Sequence, residues 1–447
     1  MEKTDVFEEW GTYAKKKALL ARDIDLEQLE RGSGSKIMAI TGIRRAGKSS
    51  VLMLLAQKLE ADGKKVAYVN LEDSRLSGVG TLDDILKWFG EDGFLLLDEV
   101  TSAHDWEGWL ARVHELLSGR LRLVVSSSRK GLALPNKPLR GRIIQIEMFP
   151  LSFREFLFFR KVLVEKTTVG RGRLEKAFLE YLKYGGFPEV VLAGDETDKV
   201  RILGSYFKDI VGLDIAEVSH QDPSKVEAFG RYALQSTYFS ASKCLNFFKT
   251  VGHKIGKEKL LQLEKYSEAG YLFFFTPIFS YNIKDKAQYP RKAYCGDTGF
   301  YHAMGDKAGF GRLYENAAFL ELRRRTQEIA YWKNKDGLET DFVLMRGSDT
   351  VEALQVVYEL EDAAVKKREF GGITACADEL KPKRLIILTK DKAGEVKEGG
   401  HMIRLVPLMD WLLDVGANTF NEKVADNFFS IGIQKFQYKN KKGYLLP

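Results

Sequence analysis

Between residues 36 and 150, short apolar runs alternate with amphipathic stretches. Residues 37–41, 66–70, 94–98, 121–126 and 143–147 are brief and rich in branched side chains, which predicts five strands separated by helices or longer connections. Strands alternating with helices predict a parallel sheet covered on both faces, the α/β class. Ahead of this unit, 5–30 is charged and amphipathic and predicts one or two helices on the sheet's edge. From 153 to about 213 the period becomes helical, broken by a tight turn at Gly185-Gly186-Phe187-Pro188. Residues 222–283 give three helical segments and then apolar runs at 271–275 and 277–281. Helices followed by a two-stranded wing are the outline of a winged helix-turn-helix. A further unit reads helix 312–328, strands 329–333, 339–345 and 351–357, helix 362–378 and strand 384–388. These patterns divide the chain into 1–150, 151–221, 222–300, 301–415 and a basic, aromatic tail over 416–447.

Composition narrows the class. The 447 residues are 45% hydrophobic and 29% charged, enough apolar material for a sizeable core, which excludes disorder as the main state. Ten prolines without a Gly-X-Y period exclude a collagen-like chain. The net charge of +7 is mildly basic and compatible with nucleic acid without requiring it. Cys244, Cys295 and Cys376 are too far apart for a CxxC knuckle or a disulfide framework, so a reducing, cytoplasmic setting is expected. The charged N-terminus lacks the apolar core of a secretory signal, and the greasiest stretch, 271–281, is too short to span a bilayer.

The chemistry concentrates in the first unit. Gly42-Ile43-Arg44-Arg45-Ala46-Gly47-Lys48-Ser49 fits GxxxxGK[ST] between a predicted strand and a predicted helix, the context this phosphate-binding loop requires. Glycines let the backbone N–H groups turn inward on phosphate oxygens, and the helix start at Lys48, Ser49 and Ser50 adds its positive end. Lys48 is expected to meet the phosphates of ATP, and Ser49 to ligate Mg²⁺. The strand 94–98 ends in Asp98-Glu99: Asp98 is expected at the Mg²⁺, and Glu99 is placed to orient or deprotonate a water. Ser126 ends the fourth strand where a sensor side chain would sit, and Arg142 offers transition-state charge, in the same subunit or across an interface. Arg44 and Arg45 either touch phosphate or brace the loop against acids such as Glu72 or Asp73; the residues leave both open.

These motifs resemble a known group. Gly42–Ser49, Leu97-Asp98-Glu99-Val100 followed by Asp105-Trp106, Leu139-Arg140-Gly141-Arg142, the run from Phe149 to Phe156, and Tyr184-Gly185-Gly186-Phe187-Pro188 together look like the archaeal-type AAA-like P-loop ATPases. The resemblance implies an ATPase core joined to a winged helix and a C-terminal domain similar to the PD-(D/E)xK nuclease fold. It covers roughly the P-loop strand to the strand near Leu388. Two positions depart from the pattern: Thr101 stands where glutamine is usual, and Ser127 where glycine is usual.

A nuclease of that type needs two acids, or an acid and glutamine, to hold a metal, and a lysine to activate water. Asp341 and Gln355, with Glu315 in the preceding helix as a further acid, supply carboxylate or amide, but Val357 occupies the lysine position. An apolar side chain cannot polarise water, so an inactive domain is expected, with Lys366 or Lys367 as the only relocated candidates. The helix 257–269 carries Lys257, Lys259 and Lys265 for DNA phosphates, interleaved with Glu258, Glu264 and Glu268, so a protein partner or self-association remains the rival. The six histidines form no ligand pair, the Phe247-Phe248 and 273–275 aromatics read as core, and Lys15–Lys17 and Arg323–Arg325 read as solvated faces.

The expected protein is a Mg²⁺-dependent ATPase whose nucleotide state moves a winged-helix and nuclease-like module. The alternatives are an ATP-gated DNA nuclease and a non-hydrolysing switch that binds ATP or ADP.

Overall fold

The computed structural model describes residues 2–413 except 129–131, 133–138, 166, 283–285, 287–288, 306–307 and 348. The expected tail over 416–447 lies outside the described residues. The chain forms two compact units, Met1–Leu320 and a second beginning at Glu321, and the boundary falls within the helix Phe310–Arg325.

The first unit is built on five parallel strands: β1 (Ile37–Gly42), β2 (Val66–Asn70), β3 (Gly93–Asp98), β4 (Leu121–Ser127) and β5 (Ile143–Met148). Their order is β2-β3-β4-β1-β5. All six residues of β1 are buried, as a strand covered on both faces requires. The strand lying between β1 and β3 in space is β4; β2, which separates them in sequence, forms the edge. The N-terminal stretch folds as two helices, Lys3–Lys16 and Leu26–Gly32. The first buries Val6 and Phe7 and lies against edge strand β2, where Trp10 donates to Asp73 at 2.9 Å.

The helical region follows as expected, and the turn at 185–188 has a specific cause. Gly185 has φ 74°, and a Cβ there would lie 1.6 Å from Asp297 Oδ1. That buried carboxylate occupies the space, accepting from Gly186 N and Gly299 N at 2.8 Å each. Pro188 then starts a helix at its first turn, where the missing N–H costs nothing.

Helices Pro223–Gln235, Ala241–Thr250 and Lys257–Ala269 come next. They accompany a three-stranded sheet of β6 (Tyr238–Phe239), β7 (Phe273–Thr276) and β8 (Arg291–Cys295), ordered β6-β8-β7 and antiparallel throughout. The expected strand at 277–281 does not form: β7 ends at Thr276, before Pro277, and its partner is β8. Proline lacks the N–H that continued pairing needs. Phe248, Phe273, Phe274 and Phe275 are buried, consistent with core filling.

The second unit carries β9 (Ile329–Lys333), β10 (Glu339–Arg346), β11 (Asp349–Val357), β12 (Arg384–Thr389), β13 (Gly394–Glu398) and β14 (His401–Pro407), ordered β13-β14-β12-β11-β10-β9. Helix Ala363–Leu380 covers β10 and β11. The hairpin of β13 and β14 was not anticipated; β13 is nearly all exposed and offers no apolar alternation to read. Arg324 and Arg325 are not simply solvated: both pair with buried Glu321, and Arg325 lies 4.6 Å over the Trp411 ring.

Candidate nucleotide site

The site forms at the C-terminal ends of β1, β3 and β4. After Gly42 the chain curls through left-handed conformations at Arg45 (φ 68°) and Gly47 (φ 99°) and enters the helix Lys48–Ala61. Ile43 and Ala46 are buried and anchor the loop, while Arg45 projects outward over the Tyr206 ring. Lys48 is only 4% exposed. Its ammonium donates to the carbonyls of Gly42 and Ile43 at 3.1 Å each, and lies 3.8 Å from Glu99 Oε1.

Asp98, fully buried at the end of β3, accepts from Tyr68 Oη at 2.7 Å and from Ser126 Oγ and Ser49. Burial and the adjacent Glu99 charge push the Asp98 carboxyl up, and the three hydroxyl bonds oppose the rise. Ser126 thus sits beneath the acid pair: it donates to Asp98 and accepts from Glu99 N at 3.0 Å. Glu99 itself has φ 49°, which turns it off the strand axis. Its Oε2 accepts from Ser128 N at 3.0 Å. The two departures from the resembled pattern meet each other, with Thr101 Oγ1 and Ser127 Oγ 2.7 Å apart.

Of the two roles the sequence leaves open for Arg44, the bracing contacts are present. Arg44 donates to Glu72 Oε1 at 3.1 Å, whereas Asp73 turns to Trp10 and Arg75. Its main partner is one the sequence did not single out: Asp214, in the π-helical turn Ile210–Ala216, takes Nε and Nη2 at 3.0 and 3.1 Å. Three further supports were also missed. Arg22 reaches the carbonyls of Ala46 and Phe149 and pairs with Glu155 at 2.6 Å, both side chains largely buried. Burial alone would raise the Glu155 carboxyl; Arg22 and the N–H groups of Asp23 and Ser152 outweigh it and hold it below its ordinary range. Tyr271 Oη lies 2.9 Å from Thr41 Oγ1 at the end of β1. A Ser152-x-x-Glu155 capping box was a readable signal for Glu155, but nothing local marks Arg22, Asp214 or Tyr271.

Arg142 does not join the site of its own chain. It precedes β5 beside Ile37, at the end of β1 opposite the loop, and pairs with Glu115 at 2.9 Å. At about 3.3 Å per residue along β1, the span is on the order of 15 Å. A role within the same subunit is therefore excluded by position.

The acids expected in the C-terminal domain divide. Glu315 belongs to the first unit, where Lys292 and Tyr294 hold its Oε1 at 3.0 and 2.7 Å. In the second unit Asp341 and Gln355 face each other across β10 and β11: Asp341 N donates to Gln355 Oε1 at 2.9 Å, and Val356 N to Asp341 Oδ2 at 2.8 Å. Gln355 donates in turn to Glu369, so it is an acid that arrives from the following helix rather than a lysine. Lys366 is exposed and lies over its own helix's Phe370 ring; Lys367 is exposed too, and Val357 is buried. Among the described residues, no three His, Cys, Asp or Glu side chains are grouped to hold a metal.

The loop, the acid-tipped third strand and the interposed fourth strand define an AAA-type P-loop domain, and residues 34–157 match the sequence profile of an AAA domain. Residues 175–311 and 310–411 match two domains of unknown function, DUF8612 and DUF4143. The chain belongs to the family of uncharacterized protein MJ1544 of Methanocaldococcus jannaschii, with 32% identity over 421 residues, 90% of this chain and 92% of the relative. An uncharacterized Haemophilus influenzae protein is 28% identical over 429 residues, 89% of this chain and 99% of its own length. Among solved structures, a Thermotoga maritima RuvB is similar at TM-score 0.31 and 17% identity, over 62% of this chain and 90% of that one. AMPPCP-bound DnaA from Aquifex aeolicus is similar at TM-score 0.26 and 17% identity, over 54% and 85%. No helix among the described residues is long and apolar enough to cross a membrane.

Proposed function

We propose that the chain is a Mg²⁺-dependent ATPase that couples nucleotide state to its later domains. The observation that carries this reading is the convergence of Lys48, Ser49, Asp98 and Glu99 on one end of the sheet, beside inward-curled loop backbone. The residues fit the groups they would hold. Loop N–H groups and the Lys48 ammonium suit a polyphosphate. The Ser49 hydroxyl and Asp98 carboxylate are hard oxygen donors suited to Mg²⁺, which usually keeps waters and substrate phosphates as its other ligands. When bound, the metal would supply charge neutralisation at the phosphates.

This chain's own side chains supply the rest. Lys48, now satisfied by the Gly42 and Ile43 carbonyls, is the charge that phosphate oxygens recruit. Tyr68 and Ser126 fix the rotamer of Asp98. Ser126 also fixes the backbone of Glu99, leaving the Glu99 carboxylate to orient a water and take its proton. Arg142, remote in its own chain, is retained only as a residue offered to a neighbouring copy.

The three helices and three-stranded sheet support a winged-helix reading of 222–300, with DNA phosphates as its partner. The Asp341–Gln355 pair supports a nuclease-like fold for the C-terminal domain, and buried Val357 in place of a lysine supports a loss of cutting. ATP turnover measured with and without single-stranded, duplex and branched DNA tests the proposal. Phosphate release that depends on Mg²⁺ and disappears in Lys48→Ala is expected. Calorimetry showing no adenine-nucleotide uptake by folded protein would refute it.

A further inference from the structure

Asp214 lies outside the segment that matches an AAA domain, yet it touches that segment from two sides. It is 5% exposed, and its carboxylate takes Arg44 bidentately. The same carboxylate accepts from Ser128 Oγ at 3.4 Å, and Ser128 holds Glu99 through its backbone N–H. It also lies close enough to Lys48 and Glu99 to feel both charges. Its seven-residue stretch, Ile210–Ala216, is π-helical, an uncommon winding that often marks functional positions.

Resting on the nucleotide-binding reading of the same site, we infer that Asp214 is a positioning residue that competes with nucleotide phosphate for the Arg44 guanidinium. An arginine fork fits a phosphate as well as it fits a carboxylate. While Arg44 is paired with Asp214, the P-loop is tied to the 210–216 turn and Ser128 is pinned against Glu99. When phosphate draws Arg44 away, Asp214 is left as a buried charge without its counterion, a costly arrangement that moves the turn rather than persisting. The nucleotide would thereby be reported to the helices that follow, and Glu99 would lose one restraint at the same moment.

The test uses the full chain. In the wild type, ATP with Mg²⁺ should speed amide exchange over 210–216 by threefold or more. Asp214→Asn keeps the shape and removes the charge; it should lower the ATP dissociation constant at least threefold and abolish the nucleotide effect on exchange. Arg44→Gln placed in the Asp214→Asn background should cancel the affinity gain, which a merely structural role of Asp214 would not produce. Wild-type protein that binds ATP by calorimetry without any change in exchange at 210–216 overturns the positioning role and leaves the ATPase reading intact. An unchanged or weakened ATP affinity in folded Asp214→Asn also overturns it. Wild-type protein that takes up no ATP overturns both. Should the variant not fold, the wild-type exchange measurement decides by itself.

Discussion

Glu264 sits on the inner face of helix Lys257–Ala269, 3% exposed, with Arg291 of β8 against it and Glu268 nearby. Burial pushes its carboxyl up to about 7, with a smaller push from Glu268, and Arg291 only partly offsets this. In the unfolded chain the group titrates near its ordinary 4.5. The folded state therefore holds the proton more tightly, and this group's contribution to stability falls as pH rises from about 4.5 to about 7. At about 1.4 kcal/mol per pH unit, the fall is about 3 kcal/mol, essentially complete by pH 8. Glu264→Gln imitates the protonated acid, so it should match the wild type near pH 4.5 and exceed it by up to about 3 kcal/mol at pH 8. Amide exchange of the helix, corrected for the intrinsic rate at each pH, reads this locally without assuming that a multidomain chain unfolds in one step. Equal stability differences between the two proteins at pH 5 and pH 8 would show that the carboxyl is not titrating in this window.

Three other outcomes follow from geometry already described. Glu99→Gln should still bind ATP yet turn it over at least about 100-fold more slowly; unchanged phosphate release would reject Glu99 as the water-handling group. Gly185→Ala must displace the Asp297 carboxylate and adopt a positive φ, and should destabilise the first unit by about 3 kcal/mol in urea unfolding. Gly194→Ala, where a Cβ meets nothing within 4 Å, is the control that should leave the midpoint nearly unchanged. Arg22→Met strands buried Glu155 and should cost about 3–5 kcal/mol, with a loss of ATP affinity measured by calorimetry because Ala46 in the P-loop loses its brace.

Sequence and structure agree best where a local rule suffices. The five-strand sheet, the P-loop and the Asp98-Glu99 tip were readable because each rests on period, turn chemistry or a contiguous motif. The position of β8 was missed because the apolar run at 277–281 imitates a strand, while pairing is decided by Pro277 and by residues beyond the intervening loop. Ser126 was expected where a sensor side chain would meet the γ-phosphate or water; its hydroxyl bonds Asp98, a contact that only the neighbouring placement of β3 and β4 creates. Of the two settings expected for Arg142, the same-subunit one fails for a related reason: motif order along the chain does not say at which end of a strand a residue emerges. Asp214 could not have been found, since one aspartate in a helical stretch becomes informative only when folding brings it to Arg44.

The hydroxyl contact between Thr41 and Tyr271 joins positions 230 residues apart. A truncated protein ending at 157 would contain the whole stretch that matches an AAA domain, but Thr41 and Gln145 would lose the phenol they share. On the ribosome the same dependence imposes a sequence of events, with the early sheet waiting for a segment synthesised much later before its P-loop end is fully braced. Excised AAA-domain fragments are thus poor surrogates for the intact chain, and their silence in an assay would carry little weight.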